Sequence, residues 1–466
     1  MADAHRPSTQ RHGKPDDLMN LPMRPSGSLS PPLLPLAAAT VIGVVMTAFS
    51  ATFLPTSGSP GSTPAPTRVS PVADPTTDPF APLPPGEKLL IASGADESKN
   101  KAREQAVNDW NVRHPDIPAD ILEVEGNTDV QRAKFRDYLD PAAPERVDIV
   151  NLDSVHLAEF ADAKAQGSPL LVTLDEKAPD IPNPITEGML GDFLPNPLLT
   201  CNWQNRLYAL PYNSDVGLLF FPAGTTVPKT AAELPEALAA GPAAHRGVAI
   251  QLSQDEAFVV NILEQLLAVN QNLLNKDGTP SVVVQAEWEK ALTVVRGKVA
   301  DGQLWYPPGS GRSAEEKTAL AFGRKEAAAM RNWPVWFGDI QPQPEVRRLF
   351  GPGILGGQNL AVAEKSRHKA QAIELIKFLT SSETQQRLLL DGRFVPTTRS
   401  TYKSPQVQRI RYLDELLAAV EEARPRPITP DYYEVSKVIL TYLYPVVVRG
   451  TPLDPNFERE MNSALN

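Results

Sequence analysis

Cysteine occurs once in the 466 residues, at Cys201. One thiol excludes an intrachain disulfide framework and any zinc site that needs two thiolates, so stability must come from burial. Histidine is nearly as scarce. His5, His12, His114, His156, His245 and His368 form neither an HExxH motif nor an i, i+4 pair, which argues against a metal centre. An excess of positive charge is missing too: Lys and Arg number 45 against 55 Asp and Glu, for a net charge of −10. Residues 1–86 carry five side chains of each sign, so the acidic excess falls on residues 87–466 and nucleic acid is not an expected partner. The phosphate-cradling GxxxxGKS/T loop is absent, as is GxGxxG behind a strand, so no nucleotide or other cofactor is expected. There is no GxSxG nucleophile elbow. Ser98-Lys99-Asn100-Lys101 fits SxxK, but Lys229-Thr230-Ala231 lacks the glycine of the KTG that should accompany it. No repeat of about 20–50 residues suggests a solenoid or propeller.

What is present begins with a charge-free run of 22 residues from Leu33 to Leu54. As a helix it measures about 33 Å at about 1.5 Å per residue, the thickness of a bilayer core. Arg6, Arg11, Lys14 and Arg24 precede it and Arg68 follows, a bias that places the N-terminus in the cytoplasm and the rest outside. The expectation is an uncleaved membrane anchor behind a disordered leader of residues 1–32; a cleaved signal peptide is the alternative, with Ala48-Phe49-Ser50 as its small-residue site. Residues 55–86 are rich in Pro, Ser and Thr with few large apolar side chains, so they form a linker stiffened toward polyproline II.

Residues 87–466 alternate apolar runs with helical periodicity, the pattern of an α/β fold. Strands are expected at Lys88–Ser93, Ala119–Val124 and Val147–Leu152, with a helix from Ser98 to His114 stopped by Pro115. Leu207–Phe221 reads as two apolar runs around a polar turn at Tyr212-Asn-Ser-Asp215, while Phe258–Val269, Glu287–Val299, Gln371–Leu379 and Val407–Glu422 read as helices. Trp110 and Trp288 fall on helix faces and belong in the core. Trp203, Tyr208, Tyr212, Trp305, Tyr306, Trp333, Trp336, Tyr432 and Tyr433 stand instead in Pro- and Gly-flanked contexts, where flat apolar faces suit sugar rings. Asp153, Asp215, Asp255 and Glu256 are candidate hydroxyl acceptors, or the paired carboxylates of a glycan-acting enzyme.

Six segments in order resemble the extracellular solute-binding proteins of ABC importers, family 1, the maltose-binding-protein type. They are Trp110–Ile117, Val147–Asp153, Leu207–Phe221, Ala327–Pro334, Gly353–Val362, and Ala370–Leu379 leading to Thr380–Gln385 and Pro396–Tyr402. The resemblance covers residues 87–466. It implies a type II periplasmic-binding fold of two hinge-linked α/β lobes, the first of about residues 87–206 and 351–395 and the second of about 207–350 and 396–466. By resemblance the cleft is lined by Asp96 and Glu97, Asp153, Tyr212, Asn213 and Asp215, Asp255, Trp333, Gly357 and Gln358, and Tyr432 and Tyr433. Gln358 departs from the pattern, since an aromatic often follows the paired glycines there. The implied function is non-catalytic: a membrane-tethered, extracytoplasmic binding protein for a small solute, a sugar or oligosaccharide, serving ABC permease subunits and a separate ATPase. A ligand-sensing ectodomain that signals through a membrane partner is the alternative, with a glycan-acting enzyme behind it.

Overall fold

The computed structural model describes residues 78–178, 181–240, 243, 245–308 and 312–466; the leader, the apolar run at 33–54 and the linker up to residue 77 lie outside the described residues. Among the described residues no helix is long and apolar enough to cross a membrane.

Two five-stranded sheets organise the chain. The strands of the first are β1 (Leu89–Gly94), β2 (Ala119–Val124), β3 (Ile149–Asp153), β4 (Ala209–Asp215) and, much later, β10 (Gly356–Val362). Its order is β2-β1-β3-β10-β4, with β1 parallel to β2 and β3, and β10 antiparallel to β3 and β4. Helices cover both faces of the inner strands, so β1 and β3 are almost wholly buried and read as continuous apolar runs; β2, at the edge, alternates. Helix α1 (Ala102–Arg113) ends just before Pro115, and its Trp110, 1% exposed, donates its indole N–H to Ile117 O at 2.7 Å. Helix α2 (Thr128–Leu139) starts on an Asn127 cap that accepts from Val130 N.

The second sheet holds β5 (Leu218–Phe221), β6 (His245–Ala249), β7 (Leu304–Trp305), β8 (Ala327–Asn332) and β9 (Glu345–Arg348), in the order β7-β6-β8-β5-β9. Helices α3 (Glu256–Val269) and α4 (Gln285–Ala300) pack in its core through Phe258, Leu263 and Trp288, and α5 (Ala314–Gly323) leads into β8. Helices α6 (Lys369–Leu379) and α7 (Ser382–Gly392) follow the return to the first sheet, then α8 (Leu413–Glu422), α9 (Tyr432–Arg449) and α10 (Phe457–Leu465). Full burial of each Leu or Phe side chain contributes about 1.5–3 kcal/mol. Each sheet has its own core, and a third cluster around Val216, Leu218, Leu355 and Val395 joins them.

Three expectations are corrected here. Tyr212–Asp215 is not a turn: all four residues are strand, Asn213–Asp215 pairing with Gly356–Gln358 and Tyr212 lying at a bulge, and the chain breaks at Val216-Gly217 instead. Polar side chains suggested a turn, but the backbone is satisfied by a strand that lies about 145 residues away. It follows that β4 belongs to the first sheet, so the crossing sits at residues 216–217 and not at 206, and the return lies at 349–355. The last expected helix begins at Leu413, not Val407, because residues 405–412 form turns.

Candidate functional site between the two sheets

The crossings meet on a buried ion pair. Arg331 of β8 and Glu264 of α3 are each 1% exposed, joined by Nε to Oε2 at 2.8 Å and Nη2 to Oε1 at 2.6 Å. Gln251 Oε1 accepts from Arg331 Nη1 at 3.2 Å, and Ile354 N donates to Glu264 Oε1 at 3.4 Å. A Cβ on Gly217 would come within 2.6 Å of both partners, so only glycine passes this point. The pair thus pins both crossings. Neither residue was named as a site residue, though each had a signal: a lone charge inside an apolar strand (Ala327-Ala-Ala-Met-Arg) and a lone acid on an apolar helix stripe (Phe258–Leu267).

The Arg331 guanidinium lies over the Trp333 ring at 3.9 Å, and the far edge of that ring comes within 3.8 Å of where a Gly356 Cβ would be. Trp333 is half-buried and held on one side by a cation, an aromatic wall at the gap. Beside Gly356 runs Asp215, at the end of β4. Its carboxylate accepts from Val216 N, and no side-chain donor reaches it among the described residues. Burial raises the Asp215 carboxyl to about 8; Arg331 pulls it down, while Glu97 and Glu315 push it up. Lost hydration, with the negative charges of Glu315 and Asp96 and against the pull of Arg103, raises the Glu97 carboxyl above the usual range, although part of the side chain stays exposed. Glu315, in the first turn of α5, brings this acidity from the second sheet's side. It was not predicted.

Next to these groups, Gln358 Oε1 accepts from Arg103 Nη2 at 2.9 Å and Asn151 Nδ2 at 2.8 Å, so it is tied into the first sheet. Gly357 has φ 121°, and a Cβ there would stand 2.2 Å from Asn213 O. Close backbone approach, not ligand contact, demands the glycine. Asn213 is 7% exposed, with an unpartnered Oδ1.

Other predicted residues are occupied structurally. Asp96 accepts from Ser98 N and Oγ and from Glu104 N, capping the start of α1. Asp255, exposed, caps α3 through Ala257 N at 3.0 Å and takes the Ser253 hydroxyl at 2.6 Å. Asp153 pairs with Arg426 Nη2 at 3.3 Å, and Glu256 takes Arg426 Nη1 at 2.6 Å, Ser436 Oγ at 2.8 Å and the Tyr432 hydroxyl. Burial works against the Arg426 charge, but Tyr432, Asp153 and Glu256 outweigh it and keep the side chain protonated. Tyr212 and Tyr432 are each 2% exposed and offer no face to a ligand; burial pushes both phenols up. Tyr433 instead carries the Arg132 guanidinium at 4.4 Å, a contact between the two halves. Lys99 makes another, to Asp339 Oδ2 at 2.6 Å with its ammonium over Trp336. These contacts hold the halves together.

A cavity of about 580 Å³ lies elsewhere, between Lys229, Arg347–Pro352 and Glu421–Arg424. No predicted ligand residue lines it, and its arginines are spoken for: Arg348 by Glu415 and Glu422, Arg347 by Pro228 O, and Arg424 by the carbonyls of Gln271 and Leu274. The gap at Trp333 and Asp215 is the better candidate.

Comparison with known proteins bears on the same region. The family model described as bacterial extracellular solute-binding protein matches residues 94–386. A probable ABC transporter-binding protein of Deinococcus radiodurans is 23% identical over 281 residues, which are 54% of this chain and 66% of that relative's length. Among solved structures, maltose-bound MalE3 of T. maritima is 25% identical with a TM-score of 0.65, covering 81% of this chain and 98% of that one. The GacH receptor of Streptomyces glaucescens, solved unliganded and with acarbose, shares the fold at 19% identity and a TM-score of 0.65, over 81% of this chain and 97% of that one.

Proposed function

This chain belongs to the bacterial extracellular solute-binding proteins, a family of binders and not of enzymes, and from that premise we propose that it is the sugar-binding component of an ABC-type importer. The observation that carries this reading is the half-buried Trp333 ring, backed by Arg331 and set beside the Asp215 carboxyl at the gap between the sheets. The apolar face suits the C–H face of a sugar ring, and the carboxyl bonds its hydroxyls in a gap that closure dries. The two lobes meet at the crossings 216–217 and 349–355, about which they open to admit the solute. Lys99–Asp339 and Arg132–Tyr433 favour the closed form. Residues 33–54 tether the protein, residues 55–86 lift it from the membrane surface, and permease subunits receive the solute. Thermal shift of the full chain in detergent against neutral sugars, oligosaccharides, polyamines and amino acids tests this, since ligand at 100 times its Kd adds about 2.7 kcal/mol of stability. A shift with saccharides that is lost in Trp333→Ala is expected. Shifts with amino acids or polyamines alone would sink the reading.

A further inference from the structure

The cavity of about 580 Å³ outside the gap is basic, in a chain whose net charge is −10. Five lysine and arginine side chains line it against two acids, Glu421 and Glu422. Both acids are answered by arginine: Glu421 takes Arg399 Nη1 at 3.3 Å, and Glu422 takes Arg348 Nε at 3.1 Å. The other four lining cations, Lys229, Lys276, Arg347 and Arg424, form no ion pair among the described residues. Arg424 is only 4% exposed, and its Nη1 donates to Gln271 O and, at 2.8 Å, to Leu274 O. Its own backbone is tied to the return crossing, Arg424 N donating to Gly353 O at 2.9 Å and Leu355 N to Arg424 O at 2.8 Å. Arg347 donates from Nε to Arg348 O at 2.8 Å and from Nη1 to Pro228 O, with its guanidinium 3.9 Å over the Phe350 ring. Carbonyls and a ring face fix where a guanidinium points, but they do not cancel its charge. Burial accordingly lowers both arginines from their ordinary range.

We propose that this cavity is a second binding site, for a small molecule carrying two or more phosphate groups, held by Arg347 and Arg424 within and by Lys229 and Lys276 at the rim. It lies apart from the solute cleft and does not depend on the sugar-binding reading. Its volume falls within the range of about 300–1,000 Å³ typical of small-molecule sites. A lone inorganic phosphate, with the bulk of a few waters at about 30 Å³ each, leaves most of that space unfilled. Charge points the same way. One phosphate brings about −1.5 to −2 at neutral pH, so two bring about −3 to −4, close to the four unpaired positive charges; two carboxylates bring half as much as the cations need. Each phosphate also offers three strong acceptor oxygens, which suits lysine and arginine donors arriving from different walls. The guanidiniums are already oriented, so binding need not order them, and charge-assisted bonds are roughly twice as strong as neutral ones.

Isothermal titration calorimetry of the full chain in a non-ionic detergent tests this with inorganic tripolyphosphate, inorganic phosphate and citrate at matched ionic strength, which equalises screening. Tripolyphosphate is expected to bind once per chain, at least about tenfold tighter than phosphate or citrate. The double variant Lys229→Gln/Lys276→Gln changes only exposed side chains and should weaken it at least about tenfold, as should Arg347→Gln. Lys134→Gln/Lys164→Gln removes the same charge from exposed positions elsewhere and should leave the affinity within about twofold, as should Trp333→Ala in the gap. An equal loss in both lysine variants would mean that overall charge alone attracts the anion and overturns the proposal. Loss in Trp333→Ala overturns it too, because the anion would then sit in the solute cleft. Citrate binding as tightly as tripolyphosphate, or neither heat nor thermal shift with any of the three, also overturns it.

Discussion

Two sets of carboxylates flank the crossings, and they differ in what answers them. Glu264, Glu256 and Asp153 are met by Arg331 and Arg426, with Tyr432 and Ser436 completing the bonds to Glu256. Among the described residues Glu97, Asp215 and Glu315 accept from no side-chain donor, and Asp215 takes only the backbone N–H of Val216. Residue type does not separate the sets, since both combine acids with neighbouring aromatics. Pairing does: an answered carboxylate holds the fold together, and an unanswered one in a drying gap is left for a ligand.

The largest effect should come from breaking an answered pair. Glu264→Ala leaves Arg331 buried beside both crossings and should cost about 3–5 kcal/mol in urea unfolding, as removal of one partner of a buried pair does. A loss below about 1 kcal/mol would erase the distinction between the sets. Trp333→Ala acts on the unanswered side: sugar affinity by calorimetry should fall about 10–100-fold, some 1.4–2.8 kcal/mol, more than stability does. The reverse ranking would make Trp333 a packing residue.

Asp215→Asn sharpens the contrast through pH. The folded-state value of Asp215, about 8, lies above the ordinary aspartate value of 3.8, so the folded protein binds this proton more tightly than the unfolded chain. The wild type therefore loses stability as pH rises from about 4 to about 8 and levels off above it. The asparagine variant lacks that loss and should be the more stable protein at pH 8, by on the order of 2 kcal/mol once water in the gap is allowed for. Parallel pH profiles for the two proteins would mean that Asp215 is ordinarily ionised. The smallest effect belongs to Lys99→Met. Its pair with Asp339 is partly exposed, at 34% and 41%, and should contribute less than about 1 kcal/mol to unfolding. The variant should nonetheless shift the ligand-free protein toward a larger radius of gyration in solution scattering; an unchanged radius would show that Lys99 does not latch the lobes.

Much of the fold was legible wherever the signal is local. Ala119–Val124 is a strand over the expected residues, Pro115 closes α1, and Trp110 and Trp288 are core residues at 1% exposure. The site was legible in part. Asp215 and Trp333 are brought together, with Glu97 in electrostatic reach, whereas Asp96 and Asp255 cap helices and Tyr212 and Tyr432 are interior. One reason covers all four: an acid before a helix and a tyrosine close behind a proline look alike in sequence whether they face a ligand or the protein. Glu315 and the Arg331–Glu264 pair were missed because their meaning lies in partners 67 or more residues away.

Composition and periodicity by themselves determined that this chain has no disulfide framework or nucleotide loop and that residues 87–466 are α/β, because burial and hydrogen bonding impose local patterns on any sequence. The order of its segments carried the family as well. Only the tertiary structure decided where the chain crosses between sheets, which carboxylates are neutralised by arginines and which remain open. Those outcomes depend on Coulomb and desolvation energies between groups distant in sequence, and such energies take their values only once the chain has brought the groups together.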